Sequence, residues 1–268
     1  MNRRSVLAAG AVAIGVVGGA AAVRTASESV GPGSPDPHPE MDVEVRSIME
    51  GTERETPIYE LRAPESGPTA MVFGGVHGDE VNGYRAAEEV IGWRIEAGTL
   101  VVVPWAEMIA VERGTREGPD GDLNRTFPSG EEPTSELSRE LWASVEASDP
   151  DVVLDLHRSR GIYDTHNQWV GQAIFPTGAG DAVADSRAVI EHMNAERVPR
   201  VMIPHRFTLG NTLTGANPLL IHKVGGDLGR PGFLVELTEF LLDPGTQTRW
   251  TLEMTELLLE RNGISRLE

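Results

Sequence analysis

From residue 42 onward, short apolar runs alternate with amphipathic stretches. Ala70–Gly75, Leu100–Val103, Val152–Leu156 and Gly232–Leu237 are nearly free of polar side chains. Runs this short, bounded by glycine or polar residues, predict strands buried on both faces. Val170–Phe175 predicts a further strand. Asp42–Met49 and Pro57–Leu61 predict a strand pair around the polar Gly51-Thr52 turn. Helical spacing fills the intervals. Glu80–Ala97 carries Val81, Tyr84, Ala87, Val90 and Ile91, and Ser135–Ser148 carries Leu137, Leu141, Trp142 and Val145. Asp181–Arg197 and Thr246–Asn262 follow the same period, the last with Trp250, Met254, Leu257 and Leu258. Arg113–Glu132, rich in Gly, Pro, Asp and Arg, predicts a loop of functional length. Strands alternating with helices predict an α/β domain over 42–268, with a largely parallel or mixed sheet covered on both faces.

The first residues break the pattern. Asn2-Arg3-Arg4-Ser5-Val6-Leu7 and the uncharged Ala/Gly/Val run to Val23 predict a twin-arginine export signal over 1–24. An uncleaved N-terminal anchor is the second reading, since about 18 apolar residues can span a bilayer. Residues 25–41 predict an extended Pro/Ser/Gly linker. The expected location is outside the cell, free or held on the outer face of its membrane.

Charge narrows the partners. The net charge of −18 repels nucleic acid and anionic lipid heads, which leaves an uncleaved anchor as the sole membrane contact expected. Lys223 is the only lysine and there is no cysteine. Acid excess, near-loss of lysine and twin-arginine export together resemble haloarchaeal proteomes, where charges are screened within about 3 Å at 1 M salt.

Candidate chemistry sits at the ends of predicted strands, where open α/β sheets bind ligands. His77 and Glu80, three residues apart in Gly75-Val76-His77-Gly78-Asp79-Glu80, follow one strand. His157 ends another, in Asp155-Leu156-His157. Two imidazoles and a carboxylate make an open zinc shell, with the fourth position left for water. Asn124 and Arg125, in Asp122-Leu123-Asn124-Arg125, offer an amide and a guanidinium suited to a substrate carboxylate. Glu236 stands in an otherwise apolar strand, where an unpartnered acid is costly; Glu239 is its rival. Asp155 shares a strand face with His157 by the period of two, which leaves a supporting role open. His38 falls in the linker and His192 on a helix surface. His166, His205 and His222 fall in loops, with structural roles the better expectation, and Tyr163, Arg158 and Lys223 are weak candidates for substrate contact.

The motifs GGVHGDE, DLNRTFP and DLHRS, in this order, resemble the succinylglutamate desuccinylase/aspartoacylase family of the zinc carboxypeptidase clan. The resemblance covers roughly residues 68–240. It implies a three-layer α/β/α sandwich and one zinc per chain held by His77, Glu80 and His157. It further implies Asp122 orienting the first imidazole, Arg116 polarising the scissile carbonyl, Asn124 and Arg125 gripping the substrate carboxylate, and Glu236 as catalytic acid–base. Typical members carry a further β-rich C-terminal domain; here the segment after Glu236 predicts a turn and one helix. The activity expected is zinc-dependent hydrolysis of an N-acyl amide bond in a small carboxylate-bearing substrate. An exported carboxypeptidase acting at peptide C-termini is the alternative reading, and a non-catalytic ligand-binding domain is the third.

Overall fold

The computed structural model describes residues 40–267, so the expected twin-arginine leader and nearly all of the linker lie outside the described residues. The described residues form ten strands: β1 (Asp42–Ile48), β2 (Thr56–Arg62), β3 (Thr69–Phe73), β4 (Arg94–Ile95), β5 (Thr99–Val103), β6 (Val152–Ser159), β7 (Ala173–Pro176), β8 (Thr208–Leu209), β9 (Gly232–Thr238) and β10 (Arg266–Leu267). Eight build one sheet in the order β1-β2-β5-β3-β6-β9-β7-β8. The central β5, β3, β6 and β9 run parallel. The antiparallel pair β1–β2 joins β5 on one side, and β7 joins β9 antiparallel on the other, with β8 parallel beyond it. The sheet is mixed, as expected.

Alternation along the strands feeds two separate cores. Ala70, Val72, Leu154, Leu156, Phe233 and Val235 pack under α1 (Val81–Val90), α4 (Ala182–Glu196) and α6 (Pro244–Arg261). The opposite parity, with Met71, Phe73, Val153 and Leu234, packs under α3 (Glu136–Ser148) and α5 (Leu220–Lys223). Helices on both faces complete the three-layer sandwich. Counting by twos from Val153 and Leu234 puts Asp155, His157 and Glu236 on the α3/α5 face. Local chemistry fixes the helix starts. Ser135 and Ser138 cap α3 reciprocally, each hydroxyl accepting from the other's backbone N–H at 3.1 Å. Asp243 caps α6 ahead of Pro244.

The helix expected over Glu80–Ala97 is shorter. It stops at Val90, where Gly92 and Trp93 donate to carbonyls only three residues back. Beyond it Trp93 and Ile95 are both buried at strand-like alternation, and Arg94–Ile95 pairs antiparallel with β10. The helical period therefore ended before the apolar residues did. The short α2 (Met108–Arg113), α5, β8 and β10 have too few residues to show a period. No helix among the described residues is long and apolar enough to cross a membrane.

Helix α1 lies hard against β6. A Cβ on Gly83 would come 2.2 Å from the Leu156 carbonyl oxygen. Alanine gains about 1 kcal/mol over glycine in a helix, but forcing atoms into a packed core costs about 1–3 kcal/mol or more, and at 2.2 Å the clash wins. Gly83→Ala is expected to lower Tm by several degrees, about 2–4 °C per kcal/mol at this size. An unchanged or higher Tm by calorimetry would show that α1 can slide off the sheet.

Candidate metal centre

The site opens where the sheet loses a strand. β3 pairs with β6 only as far as Phe73↔Asp155, whereas β6 continues beside β9 to Ser159↔Thr238. β6 thus runs past the expected Leu156, and His157 stands directly opposite Glu236. The chain leaving β3 turns over the vacated edge through Gly74–Glu80. Gly78 makes the turn possible, because a Cβ there would lie 1.9 Å from the Ala110 carbonyl carbon of α2. His77 and Glu80 are delivered onto His157, and all three are buried.

Both imidazoles present Nδ1 to the Glu80 carboxylate. His77 Nδ1 lies 2.8 Å from Glu80 Oε1, His157 Nδ1 2.8 Å from Glu80 Oε2, and the two nitrogens 3.2 Å from each other. The opposite nitrogens face carboxylates. His77 Nε2 meets Asp122 Oδ1 at 2.9 Å. His157 Nε2 has Asp155 Oδ2 at 2.8 Å, out of line for a hydrogen bond, so that hold is electrostatic. Carboxylates on Nε2 favour the proton there and leave Nδ1 as the lone pair. Two lone pairs and a carboxylate then converge on one point, an arrangement that needs a proton or a cation. Zinc–nitrogen bonds of about 2.0–2.1 Å in a tetrahedron put donors roughly 3.3 Å apart, near the 3.2 Å between the imidazole nitrogens. The donor set fits a zinc ion.

Charges around the trio alternate in sign. Arg116 donates to Glu80 Oε1 at 2.9 Å and to Asp122 Oδ2 at 3.2 Å, and the Arg158 backbone N–H donates to Glu80 Oε2 at 2.7 Å. Burial by itself would raise the Glu80 carboxyl; the His157 and His77 imidazoles outweigh it and hold it well below the carboxylate range. Asp122 is depressed in the same way, burial being overcome by His77 and Arg116. Burial would lower both imidazoles, but Asp155 and Glu80 raise His157 far above its ordinary value, and Asp122 and Glu80 raise His77. For Glu236 burial prevails. Its Oε2 has no partner among the described residues, and its carboxyl is pushed up to about 8, the Glu80 charge adding to burial and His157, His77 and Arg116 opposing it.

All eight residues read from the sequence, His77, Glu80, Arg116, Asp122, Asn124, Arg125, His157 and Glu236, line one cleft of about 1090 Å³. Arg125 reaches into it with half its side chain exposed. Asn124 is buried and already engaged: its Oδ1 accepts from Leu220 N at 2.9 Å and its Nδ2 lies 3.3 Å from His157 Nε2. Glu239 lies just past β9 and pairs with Arg158 at 3.1 Å. Sequence reasoning passed over Asn82, which donates to the His157 carbonyl at 3.2 Å and to Thr251 Oγ1 at 2.8 Å, tying α1, β6 and α6 together behind His157. A buried amide in the first turn after Glu80 was its only signal. Lys223 turns inward, donating to the Pro128 and Glu131 carbonyls and packing over Trp142, so it braces a loop. His205 is likewise structural, donating to the Phe240 carbonyl at 2.7 Å.

His77→Ala or His157→Ala is expected to abolish stoichiometric zinc binding by elemental analysis, because two protein ligands rarely hold zinc in an open site. The raised imidazoles add a pH dependence. Their protons contribute stability to the metal-free protein at low pH, a contribution lost as pH rises through the raised values. Zinc must displace those protons. Its affinity should therefore weaken steeply as pH falls below the imidazole values, with protons released on binding in calorimetry. A pH-independent affinity would remove the two imidazoles from the ligand set.

Comparison with known proteins agrees with this geometry. The model of the succinylglutamate desuccinylase/aspartoacylase catalytic domain matches residues 66–239. N-alpha-acetyl-L-2,4-diaminobutyric acid deacetylase of Halomonas elongata is 37% identical over 98 residues, 34% of this chain and 28% of that enzyme. Among solved structures, the mDAP-bound form of Helicobacter pylori Csd4, a D,L-carboxypeptidase, superposes with a TM-score of 0.62 at 21% identity, covering 75% of this chain and 52% of that one. A succinylglutamate desuccinylase from Silicibacter sp. TM1040 gives 0.58 at 18% identity, covering 91% and 73%. The chain thus spans about half the length of Csd4 and about a quarter of the deacetylase, and Csd4 and the Silicibacter desuccinylase share its fold. With the catalytic-domain model matched across His77, Glu80, His157 and Glu236, the chain belongs to the succinylglutamate desuccinylase/aspartoacylase family.

Proposed function

We propose that this protein is a zinc-dependent hydrolase that cleaves the amide bond of an N-acyl amino acid or a similar carboxylate-bearing substrate. The observation that carries the reading is the trio of converging donors, His77, Glu80 and His157, in one cleft with Arg116, Arg125 and Glu236, whose Oε2 has no partner among the described residues. Bound zinc supplies Lewis acidity and a water acidified to a pKa of about 7. Glu236 takes the proton of the attacking water and returns it to the leaving nitrogen. Arg116 lends positive charge to the oxygen of the tetrahedral intermediate. Arg125 holds the substrate carboxylate through its planar fork, and buried Asn124 fixes the loop from which Arg125 projects. The deacetylase name of the Halomonas relative supports amide hydrolysis. The likeness to Csd4 keeps a peptide C-terminus as the second substrate class. The leader and the acid excess support an exported enzyme that works in high salt, on the outer face of the cell or beyond it.

Glu236→Gln is expected to keep zinc and lose about 10²–10⁴-fold in kcat, the usual contribution of a general base. A base acts ionised, so turnover falls as pH drops through its pKa. Burial raises that pKa toward about 8 from 4.5, and a bound dication opposes the rise, so the acid limb of kcat/KM should lie between those values. A dead Glu239→Gln beside an active Glu236→Gln would reassign the role to Glu239.

The carboxylate grip is tested with an N-acyl amino acid and its C-terminal amide. Losing one partner of a charge pair costs about 2–5 kcal/mol, and the half-exposure of Arg125 points to the low end. Arg125→Lys keeps the charge but loses the fork, so kcat/KM for the acid should drop about 30-fold, roughly 2 kcal/mol, while the amide changes little. Equal rates for acid and amide in the unmutated protein would exclude a carboxylate grip. Hydrolysis of a C-terminal dipeptide ahead of every N-acyl amino acid would favour the carboxypeptidase reading.

A further inference from the structure

The cleft is divided by charge. Every acid and arginine that lines it belongs to the zinc side or the mouth: residues 79–80, 116–125, 158–160 and 236–239. The remaining wall has none. Phe175, Leu213, Leu219 and Leu234 form its apolar part, with Asn217 and His222 beside them, and the uncharged residues 167–170 and 211 complete it. This wall is continuous. Phe175 and Leu234 are register partners across β7 and β9, and Leu213 N donates to the neighbouring Pro176 carbonyl at 2.8 Å. Tyr163 closes over Phe175 edge-on, ring centroids 5.3 Å apart. His222 Nδ1 accepts from Gly215 N at 3.0 Å, which fixes the ring proton on Nε2, beside the Asn217 amide at 3.4 Å. Burial holds the ring below its ordinary pKa, so it adds no charge.

This uncharged arm adjoins the carboxylate grip. Leu220 N donates to Asn124 Oδ1 at 2.9 Å, which seats Leu219 next to the Asn124–Arg125 pair. In an amino acid the carboxylate and the side chain leave the same carbon. A subsite for the side chain must therefore border the grip, as this arm does. A charged side chain would lose its hydration there with no partner of opposite sign. Each methylene buried there adds about fourfold to affinity.

We infer that the Phe175–Leu213–Leu219–Leu234 wall selects an uncharged, apolar side chain on the amino acid released, so that the substrates are N-acylated aliphatic or aromatic amino acids rather than acidic or basic ones. The inference deepens the hydrolase reading and, as a statement about substrates, rests on it. Arg160 is the competing determinant: it is exposed at the mouth, makes no ion pair among the described residues, and would draw an acidic side chain.

The experiment uses zinc-loaded protein with the N-acetyl derivatives of leucine, phenylalanine, aspartate and lysine. Calorimetry of free leucine and aspartate gives a second readout that needs no turnover. Leucine and phenylalanine derivatives are expected to exceed the other two in kcat/KM by on the order of 100-fold. Leu219→Arg, at a half-buried position with room for a long side chain, should cut the leucine-to-aspartate ratio by about tenfold or more. Arg160→Gln should change it by less than about fivefold, as for an exposed charge. Preference for aspartate or lysine in the unmutated protein overturns the inference, and so does a folded Leu219→Arg variant with an unchanged ratio. If no N-acetyl amino acid is hydrolysed, the N-acetyl amino acid reading fails and binding alone decides the arm. Leucine bound more tightly than aspartate, with the order reversed by Leu219→Arg, upholds it; equal or opposite binding in the unmutated protein overturns it.

Discussion

Two imidazole lone pairs and a carboxylate packed within about 3 Å in a buried site repel one another unless a positive charge sits among them. Every neighbouring choice in this protein follows from that constraint. The Arg116 guanidinium and the Arg158 backbone N–H take the outward lone pairs of Glu80. Asp122 and Asp155 take the far sides of the imidazoles and aim their near sides inward. Breaking such a network by removing one partner strands a buried charge, which costs about 3–5 kcal/mol. The arrangement is therefore preorganised, and its members hold one another in a geometry that fits a cation.

The backbone makes this convergence possible by ending β3 early. Had β3 continued beside β6, its ladder would fill the space that His77 and Glu80 now occupy. Because β6 and β9 run on together, His157 and Glu236 are cross-strand neighbours. His157 and Glu236 thus inherit their separation from strand spacing rather than from loop conformation, and sites built on strands are held more tightly than sites on loops. Arg116 and Arg125, which line the same cleft, lie on the 113–132 loop instead.

How much of this could be read beforehand depended on the range of the interaction. Strands β3, β5, β6 and β9 were legible because burial on both faces leaves an unbroken apolar run. The converging donors His77, Glu80 and His157 were legible because strand ends are where α/β sheets bind ligands and because Gly75-Val76-His77-Gly78-Asp79-Glu80 is local. The end of α1 was not, since Trp93 and Ile95 are as apolar as a helix face and only their pairing with β10 shows otherwise. Asp155 could be placed on the face of His157 by counting, but not its contact with Nε2. Asn82, Lys223 and the buried role of Asn124 depend on contacts 75 to 169 residues away in sequence, beyond any periodicity.

The single lysine shows how the acidic composition and the fold are reconciled. On a surface with net charge −18 an outward lysine would be one more solvated charge of small value. Lys223 is instead buried, held by two carbonyls and Asp227 and stacked over Trp142. There its charge is balanced and every donor is used, which is the condition under which a buried ammonium is tolerated. Asp227 in turn accepts from Gly130 N at 2.8 Å and from Ser129, so this one cation ties the 128–131 segment to the turn after α5. That segment continues the loop that carries Arg116, Asp122, Asn124 and Arg125. The positive charge withheld from the surface thus anchors the end of the loop that brings positive charge to the cleft.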